Sequence, residues 1–447
     1  EVGYVLTHAE AKLCLVETAE HHAKAAAARA SLPHLLLVTM RRSPPIDDPD
    51  TLTWEALLAR GDAVPEAELD ARLDALADAD PAAFIYTSGT TGPPKAVVLS
   101  HRNLAWTATT AVSMNTVGPD DVSLSYLPLS HIAEQMFTLY VPATCGSQIY
   151  FATAFDKVPD ELREVQPTLL FGVPRVWEKM HARVAERLAP APPIRRRLAA
   201  WAMGVGRRVA DAHNRGVAPS LADRVQHRLA KRLVFDRVRP LLGLGRARGC
   251  MSGAAPIARE VLEFFAGLDV VIHEVYGQSE DTGPTTFNRP GATRYGTVGQ
   301  PIPGTEVRIA DDGEIQVGGT LNTKGYLHMP AETAALFTED GWLKTGDIGA
   351  FDDEGNVKIT GRAPSSASTV TRSPGETLSA CASMDDISRP VAGMACSPPS
   401  WSITRFNVAS RGRPVIARVR SRWPARIRTG TVRCVSTRIT PGNRDRS

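Results

Sequence analysis

The 447-residue chain carries 51 Lys and Arg against 48 Asp and Glu, for a net charge of +3, with 43% hydrophobic and 22% charged residues. That is the composition of a globular protein with a large core, long enough for two to four domains of about 100–200 residues each. No apolar run reaches the roughly 18–20 residues that span a bilayer, which argues against a transmembrane helix. The balanced total conceals a division. From Ala363 to Ser447 there are 14 Arg, no Lys and four acids (Glu376, Asp385, Asp386, Asp445), a net +10, so residues 1–362 carry −7. Six cysteines at positions 14, 145, 250, 381, 396 and 434 have neither disulfide-framework nor metal-ligand spacing. No leader-like sequence opens the chain at Glu1, and a reducing, cytoplasmic setting is expected.

In chain order, Glu1–Glu10 predicts a helix, Lys12–Glu17 a strand, the Ala-rich His21–Ala30 a helix and His34–Thr39 a buried strand. Strands alternating with helices predict a mostly parallel sheet. Ala82–Tyr86 reads as another strand and Ala96–Leu99 as a further extended segment, with Ser100 as N-cap of a helix starting near Arg102. Arg175–Leu242 has no strand signal and predicts several helices, broken at Pro190–Pro193 and near Pro219. Glu274–Gly283 reads as a polar loop. Alternation in Glu314–Val317 and Asn356–Thr360 predicts a small antiparallel β region over 299–362. Beyond Arg362 no period of 2 or 3.6 persists and Ser, Arg and Pro dominate, so 363–447 is expected to be a disordered basic tail.

The densest chemical signal is Tyr86-Thr-Ser-Gly-Thr-Thr-Gly-Pro-Pro-Lys95. Gly89 and Gly92 permit tight turns that aim backbone N–H groups at an anion. Thr87, Ser88, Thr90 and Thr91 add hydroxyl donors, and Lys95 adds a point charge suited to phosphate oxygens. A Walker loop is excluded, since Pro93-Pro94 and β-branched residues stand where that motif needs Gly-Lys-Ser/Thr and a helix. Gly277-Gln-Ser-Glu-Asp281 lacks the final Gly of a nucleophile elbow, which argues against a serine hydrolase.

Segments in order along the chain resemble the adenylate-forming superfamily. Tyr86–Lys95 resembles its phosphate loop, Leu127–His131 its second core motif, and Met251–Pro256 its adenine-side loop. Tyr276-Gly-Gln-Ser-Glu280 resembles the Tyr-Gly-x-Thr/Ser-Glu motif, Gly341–Asp347 the ribose motif, and Gly361-Arg362 the hinge. The resemblance implies an α/β large domain over 1–362 that binds ATP, Mg²⁺ and coenzyme A. It implies phosphate and nucleotide contacts from Thr87–Gly92, Lys95, Gly253, Ala254, Gly277, Ser279 and Arg362. It further implies adenine stacking on Tyr276, a metal carboxylate at Glu280 and a ribose contact at Asp347, whose two oxygens suit a diol. His131 stands either near the acyl carboxylate, by analogy, or as a satisfied buried histidine.

Phe171-Gly-Val-Pro-Arg-Val-Trp-Glu-Lys179 resembles the long-chain fatty acyl-CoA synthetase branch, which implies ATP-dependent formation of an acyl-adenylate and then acyl-CoA. The basic helical stretch after it suits peripheral contact with an anionic membrane, or a solvated face. The sequence also departs from the family. Ala96 replaces a usual Gly, placing a methyl beside the expected turn. About a hundred residues of the large domain would precede Glu1. The catalytic lysine of the family's small domain has no counterpart, because no Lys follows Lys358. A shifted reading frame in a GC-rich gene is the expected cause, which sequencing of the locus would test. Two readings stand: a ligase of impaired turnover, or a nucleotide-binding remnant without turnover. A nucleic-acid arm formed by the tail is the weaker third, since Trp401, Phe406 and Trp423 are its few aromatics.

Overall fold

The computed structural model describes residues 1–87 and 92–363. Ser88, Gly89, Thr90 and Thr91 lie outside the described residues, as does the expected tail beyond Ala363. The first unit is a helix, Val2–His8, followed by a three-stranded parallel sheet of β1 (Leu13–Val16), β2 (Leu36–Thr39) and β3 (Thr51–Leu52). Helix Ala19–Ala26 crosses between β1 and β2, capped by Thr18, whose hydroxyl accepts from His21 N. Val16, Leu32, Leu35 and Leu37 form its apolar centre.

β4 (Pro81–Thr87) and β5 (Lys95–Ser100) pair antiparallel as a hairpin. The far edge of β5 is occupied too. Val98 N donates to Gly325 O at 2.9 Å, and Leu327 N to Ala96 O at 2.9 Å. Ala96 lies fully buried within β5, while the turn its methyl was expected to crowd includes Ser88–Thr91, outside the described residues. Ser100 caps the helix His101–Asn115 as expected. Its hydroxyl accepts from Asn103 N while Asn103 Oδ1 accepts from Ser100 N at 2.9 Å. Asn103 Nδ2 also donates to Thr320 O and Asn322 O, tying this helix to a distant loop.

β6 (Val122–Ser125) and β7 (Gln148–Phe151) pair in parallel. A mixed sheet follows in the order β12-β11-β10-β9-β8, built from β8 (Leu169–Gly172), β9 (Gly249–Ser252), β10 (Ile272–Tyr276), β11 (Thr286–Phe287) and β12 (Gln300–Pro301). β8, β9 and β10 are parallel, whereas β11 and β12 are antiparallel additions. Between β8 and β9 run helices Pro174–Leu188, Pro193–Asn214 and Leu221–Ala230, interrupted where the prolines predicted. The main core lies under them, centred on Trp177, Phe265, Leu170 and Ile272. Trp177 Nε1 donates to Gly172 O at 2.9 Å, and a Cβ on Gly172 would sit 2.6 Å from that nitrogen. The Phe171–Lys179 signature is therefore partly a packing requirement.

The last unit is the expected antiparallel sheet, β13 (Thr305–Ile309), β14 (Glu314–Gly319), β15 (Leu343–Phe351) and β16 (Val357–Arg362). Sequence periodicity missed the helix Pro330–Leu336 inserted between β14 and β15. It also misplaced one boundary: Glu274–Tyr276 finish strand β10, and the polar loop begins at Gly277. Hydrogen bonding to both neighbouring strands holds those three residues extended. Cys14, Cys145 and Cys250 are free thiols.

Candidate active site

Segments from several sheets converge on one cleft of about 840 Å³. Thr87 and Lys95 reach it from the β4–β5 hairpin, and Gly253 and Ala254 from the loop after β9. Gly277, Ser279 and Glu280 enter from the turn after β10, with Tyr276 at its root. Asp347 on β15 and Arg362 on β16 close the remaining side, and His131 lines the same space. Gly92, at φ +98°, is the one described residue assigned to the site that does not line the cleft.

The turn after β10 is sterically specified. A Cβ on Gly277 would fall 1.5 Å from Gly283 O, so no side chain fits there. Behind it, fully buried Asp281 accepts from Gln278 N at 2.7 Å and from the Thr285 hydroxyl. Burial pushes the Asp281 carboxyl up to about 8. Asp281 braces the segment that carries Ser279 and Glu280, although no sequence motif singles it out. Across the cleft, Ala254 sits in the left-handed region at φ +70°, a conformation that costs an L-residue about 1–2 kcal/mol.

Lys95 and Glu280 are linked through Tyr326. The Lys95 ammonium lies 5.1 Å from the Tyr326 ring centroid, and the Tyr326 hydroxyl donates to Glu280 Oε1 at 2.8 Å. Burial raises the Tyr326 hydroxyl pKa far above its ordinary value, with the Glu280 charge adding to it, so the phenol remains a donor. Tyr326 went unnoticed in the sequence because nothing local marks it. Its one cue is the neighbouring Gly325, at φ +125°.

Opposite, the Tyr276 hydroxyl donates to Asp347 Oδ2 at 2.8 Å, and an Arg362 guanidinium nitrogen lies 3.9 Å from Asp347 Oδ1. Tyr276 is buried, and burial raises its hydroxyl pKa well beyond the normal range, followed by the charge of Asp347. His131 is not the satisfied buried histidine of the alternative reading. It is solvent-exposed at the cleft edge and caps the helix Ile132–Gln135, its Nδ1 accepting from Ala133 N at 3.2 Å. Glu274 also faces the cleft. Burial pushes its carboxyl up to about 8, and its Oε2 has no hydrogen-bond partner.

The donor set suits Mg²⁺ bound mainly through substrate. Among the described residues there is no cluster of three His, Cys, Asp or Glu able to hold a metal. Glu280 offers one carboxylate with Oε2 unused by Tyr326, and Mg²⁺ is commonly held by one or two carboxylates plus phosphates and water.

Strand-end loops from several sheets border this one charged cleft. A model of the AMP-binding enzyme family matches residues 1–327, and the chain belongs to that family. It is similar to Long-chain-fatty-acid--CoA ligase ACSBG2 of Xenopus laevis, 37% identical over 372 residues, covering 80% of this chain and 50% of that one. It is likewise similar to Long-chain-fatty-acid--CoA ligase ACSBG2 of Gallus gallus, 39% identical over 326 residues, covering 70% of this chain and 42% of that one. The chain thus spans about half the length of the curated relatives it matches. Among solved structures, apo MatB from Rhodopseudomonas palustris aligns with a TM-score of 0.56 at 26% identity, covering 81% of this chain and 61% of that one. An anthranilate CoA ligase, AuaEII, in complex with anthranoyl-AMP shares the fold at a TM-score of 0.58 and 20% identity, over 81% and 61% of the two chains. No helix among the described residues is long and apolar enough to cross a membrane.

Proposed function

We propose that residues 1–362 are part of the large domain of a long-chain fatty acid–CoA ligase. In the first step a fatty-acid carboxylate oxygen attacks the α-phosphorus of ATP and pyrophosphate leaves. In the second the coenzyme A thiolate attacks the acyl carbon of the acyl-adenylate and AMP leaves. The observation that carries this reading is the union of Lys95 and Glu280 across Tyr326 in one cleft.

Lys95, continuing from the loop Thr87–Gly92, neutralises the phosphate oxygens, which is the main task in phosphoryl-type transfer. Glu280 would hold Mg²⁺, which when bound offsets charge on the phosphates. Ser279 donates to the α-phosphate, and the Gly253-Ala254 edge and Gly277 border the adenine. Tyr276 serves the nucleoside in two ways, its ring beside the base and its hydroxyl fixing Asp347 for the ribose. Because Asp347 Oδ2 already accepts from Tyr276, Oδ1 and the spare lone pair of Oδ2 are what remain for the diol. Arg362 contacts the same nucleotide, and His131 borders the acyl carboxylate. The apolar arm of the cleft, with Met114, Phe137 and Val141, suits an alkyl chain.

A second reading is nucleotide binding without turnover. The two separate in one pair of measurements on the full chain. Calorimetric AMP binding together with pyrophosphate release on palmitate and ATP supports the ligase. Binding with no release supports the second reading, and failure to bind AMP overturns both.

A further inference from the structure

The helix Leu221–Ala230 turns an unusual face to solvent. Leu221, Arg224, Val225, Arg228 and Leu229, continued by Arg232 in the helical turn Lys231–Phe235 that follows, succeed one another at helical spacing, and all six are exposed. Leu221, Val225 and Leu229 are 76%, 65% and 50% exposed, although aliphatic side chains in such a helix ordinarily face the core. The opposite face is already engaged. Ala230 packs with Ala202, Val205 and Val209, and His227 hydrogen-bonds Asp269 at 2.8 Å. The stripe is therefore not the helix's inner seam.

Its charge has one sign. Asp223 is taken by Arg208 at 2.8 Å and Asp236 by Lys231 at 3.3 Å. Among the described residues no ion pair engages Arg224, Arg228 or Arg232. The first turns of helix Pro193–Asn214 repeat the pattern. Arg195, Arg196 and Arg197 are exposed there, flanked by Ile194 and Leu198. Aliphatic side chains between unpaired guanidiniums need two environments at once, hydrocarbon and a dense negative charge just above it. The boundary of an anionic bilayer provides both, because Arg stems lie along the apolar layer while their heads stay at phosphate level. A nucleic acid would satisfy the arginines and leave the three aliphatic groups in water, and the stripe holds no aromatic ring to stack on bases.

We infer that this face docks on an anionic phospholipid surface, with the helix lying in the interfacial plane. The claim concerns partition and not turnover, so it stands or falls separately from the ligase reading. It is tested by flotation of the full chain with vesicles of phosphatidylcholine alone and of phosphatidylcholine mixed with phosphatidylserine. The parent should float with the mixed vesicles and stay behind with the neutral ones. The triple variant R224Q/R228Q/R232Q should lower partition about a hundredfold at low salt, from about a factor of five per arginine. The triple variant L221S/V225S/L229S should lower it at least about tenfold through lost apolar insertion. Every variant retains the Arg-rich segment beyond Ala363, so that segment cannot produce the differences. R224K/R228K/R232K should float like the parent, and unchanged melting temperatures show that the surface alone was altered. Flotation of both triple variants at the parent's level overturns the proposal. So does a loss of duplex-DNA retention in R224Q/R228Q/R232Q with vesicle binding intact.

Discussion

The two walls of the cleft solve the same problem differently. On the phosphate wall a tyrosine hydroxyl holds a carboxylate, Tyr326 to Glu280, and the same ring supports a cation, Lys95. On the nucleoside wall a tyrosine hydroxyl again holds a carboxylate, Tyr276 to Asp347, but the cation, Arg362, stands 3.9 Å off with a side chain 71% exposed. The first wall is a linked set in which moving one member moves the others. The second is a rigid pair with a loosely attached partner. Charge neutralisation at a triphosphate needs fixed geometry, because the interaction weakens steeply once water enters.

Breaking the phosphate wall should have the largest effect. Lys95→Ala is expected to lower pyrophosphate release by about 10²–10³-fold while AMP affinity barely changes, as AMP lacks the phosphates it serves. Equal losses of ATP and AMP binding would remove Lys95 from that role. Tyr326→Phe keeps the ring beneath the ammonium and deletes only the bond to Glu280, so a fall of about tenfold is expected. The same variant should raise the Mg²⁺ concentration needed for half-maximal ATP binding, which a purely packing role would not do. Tyr276→Phe should cost less, about threefold to tenfold, and weaken ATP and AMP alike, because Asp347 N retains its bond to Thr345 Oγ1 at 3.1 Å. A preferential loss of ATP binding would erase the distinction between the walls.

A further expected effect is on stability and not on turnover. The Glu274 carboxyl, pushed up to about 8, keeps its proton in the folded chain where an unfolded glutamate, at about 4.3, has lost it. Folding is therefore favoured below that lower value, and the benefit fades as pH rises toward about 8. Glu274→Gln removes this slope, at most about 1.4 kcal/mol per pH unit. The variant should gain melting temperature relative to the parent at about pH 8 and gain little at about pH 5. A parallel shift at both would show that Glu274 ionises normally.

Much of the scaffold was legible because it obeys local rules. Ser100 and Asn103 cap their helix through a three-residue spacing, and Pro192-Pro193 breaks a run of helices where a proline must. The motif residues were legible through resemblance, and the cleft brings Thr87, Lys95, Glu280, Asp347 and Arg362 together. What escaped notice depends on contacts between distant segments. Tyr326 meets Glu280 across 46 positions. Asp281 is indistinguishable in sequence from an acidic turn residue, and only its complete burial beneath Gly277–Gly283 reveals its bracing role. The helix Pro330–Leu336 has no buried residue, so it left no apolar stripe to detect.

Since β5 is bonded along both edges, by β4 on one side and by the segment around Gly325 and Leu327 on the other, it has no freedom to slip. A strand's side chains alternate between faces, so loss of one codon inside Val97–Leu99 would leave the chain two options. It could keep the ladder and turn the ammonium of Lys95 away from the nucleotide, or keep the ammonium and forfeit the ladder. In-frame indels should thus be far less tolerated at this strand than in the surface connections on either side.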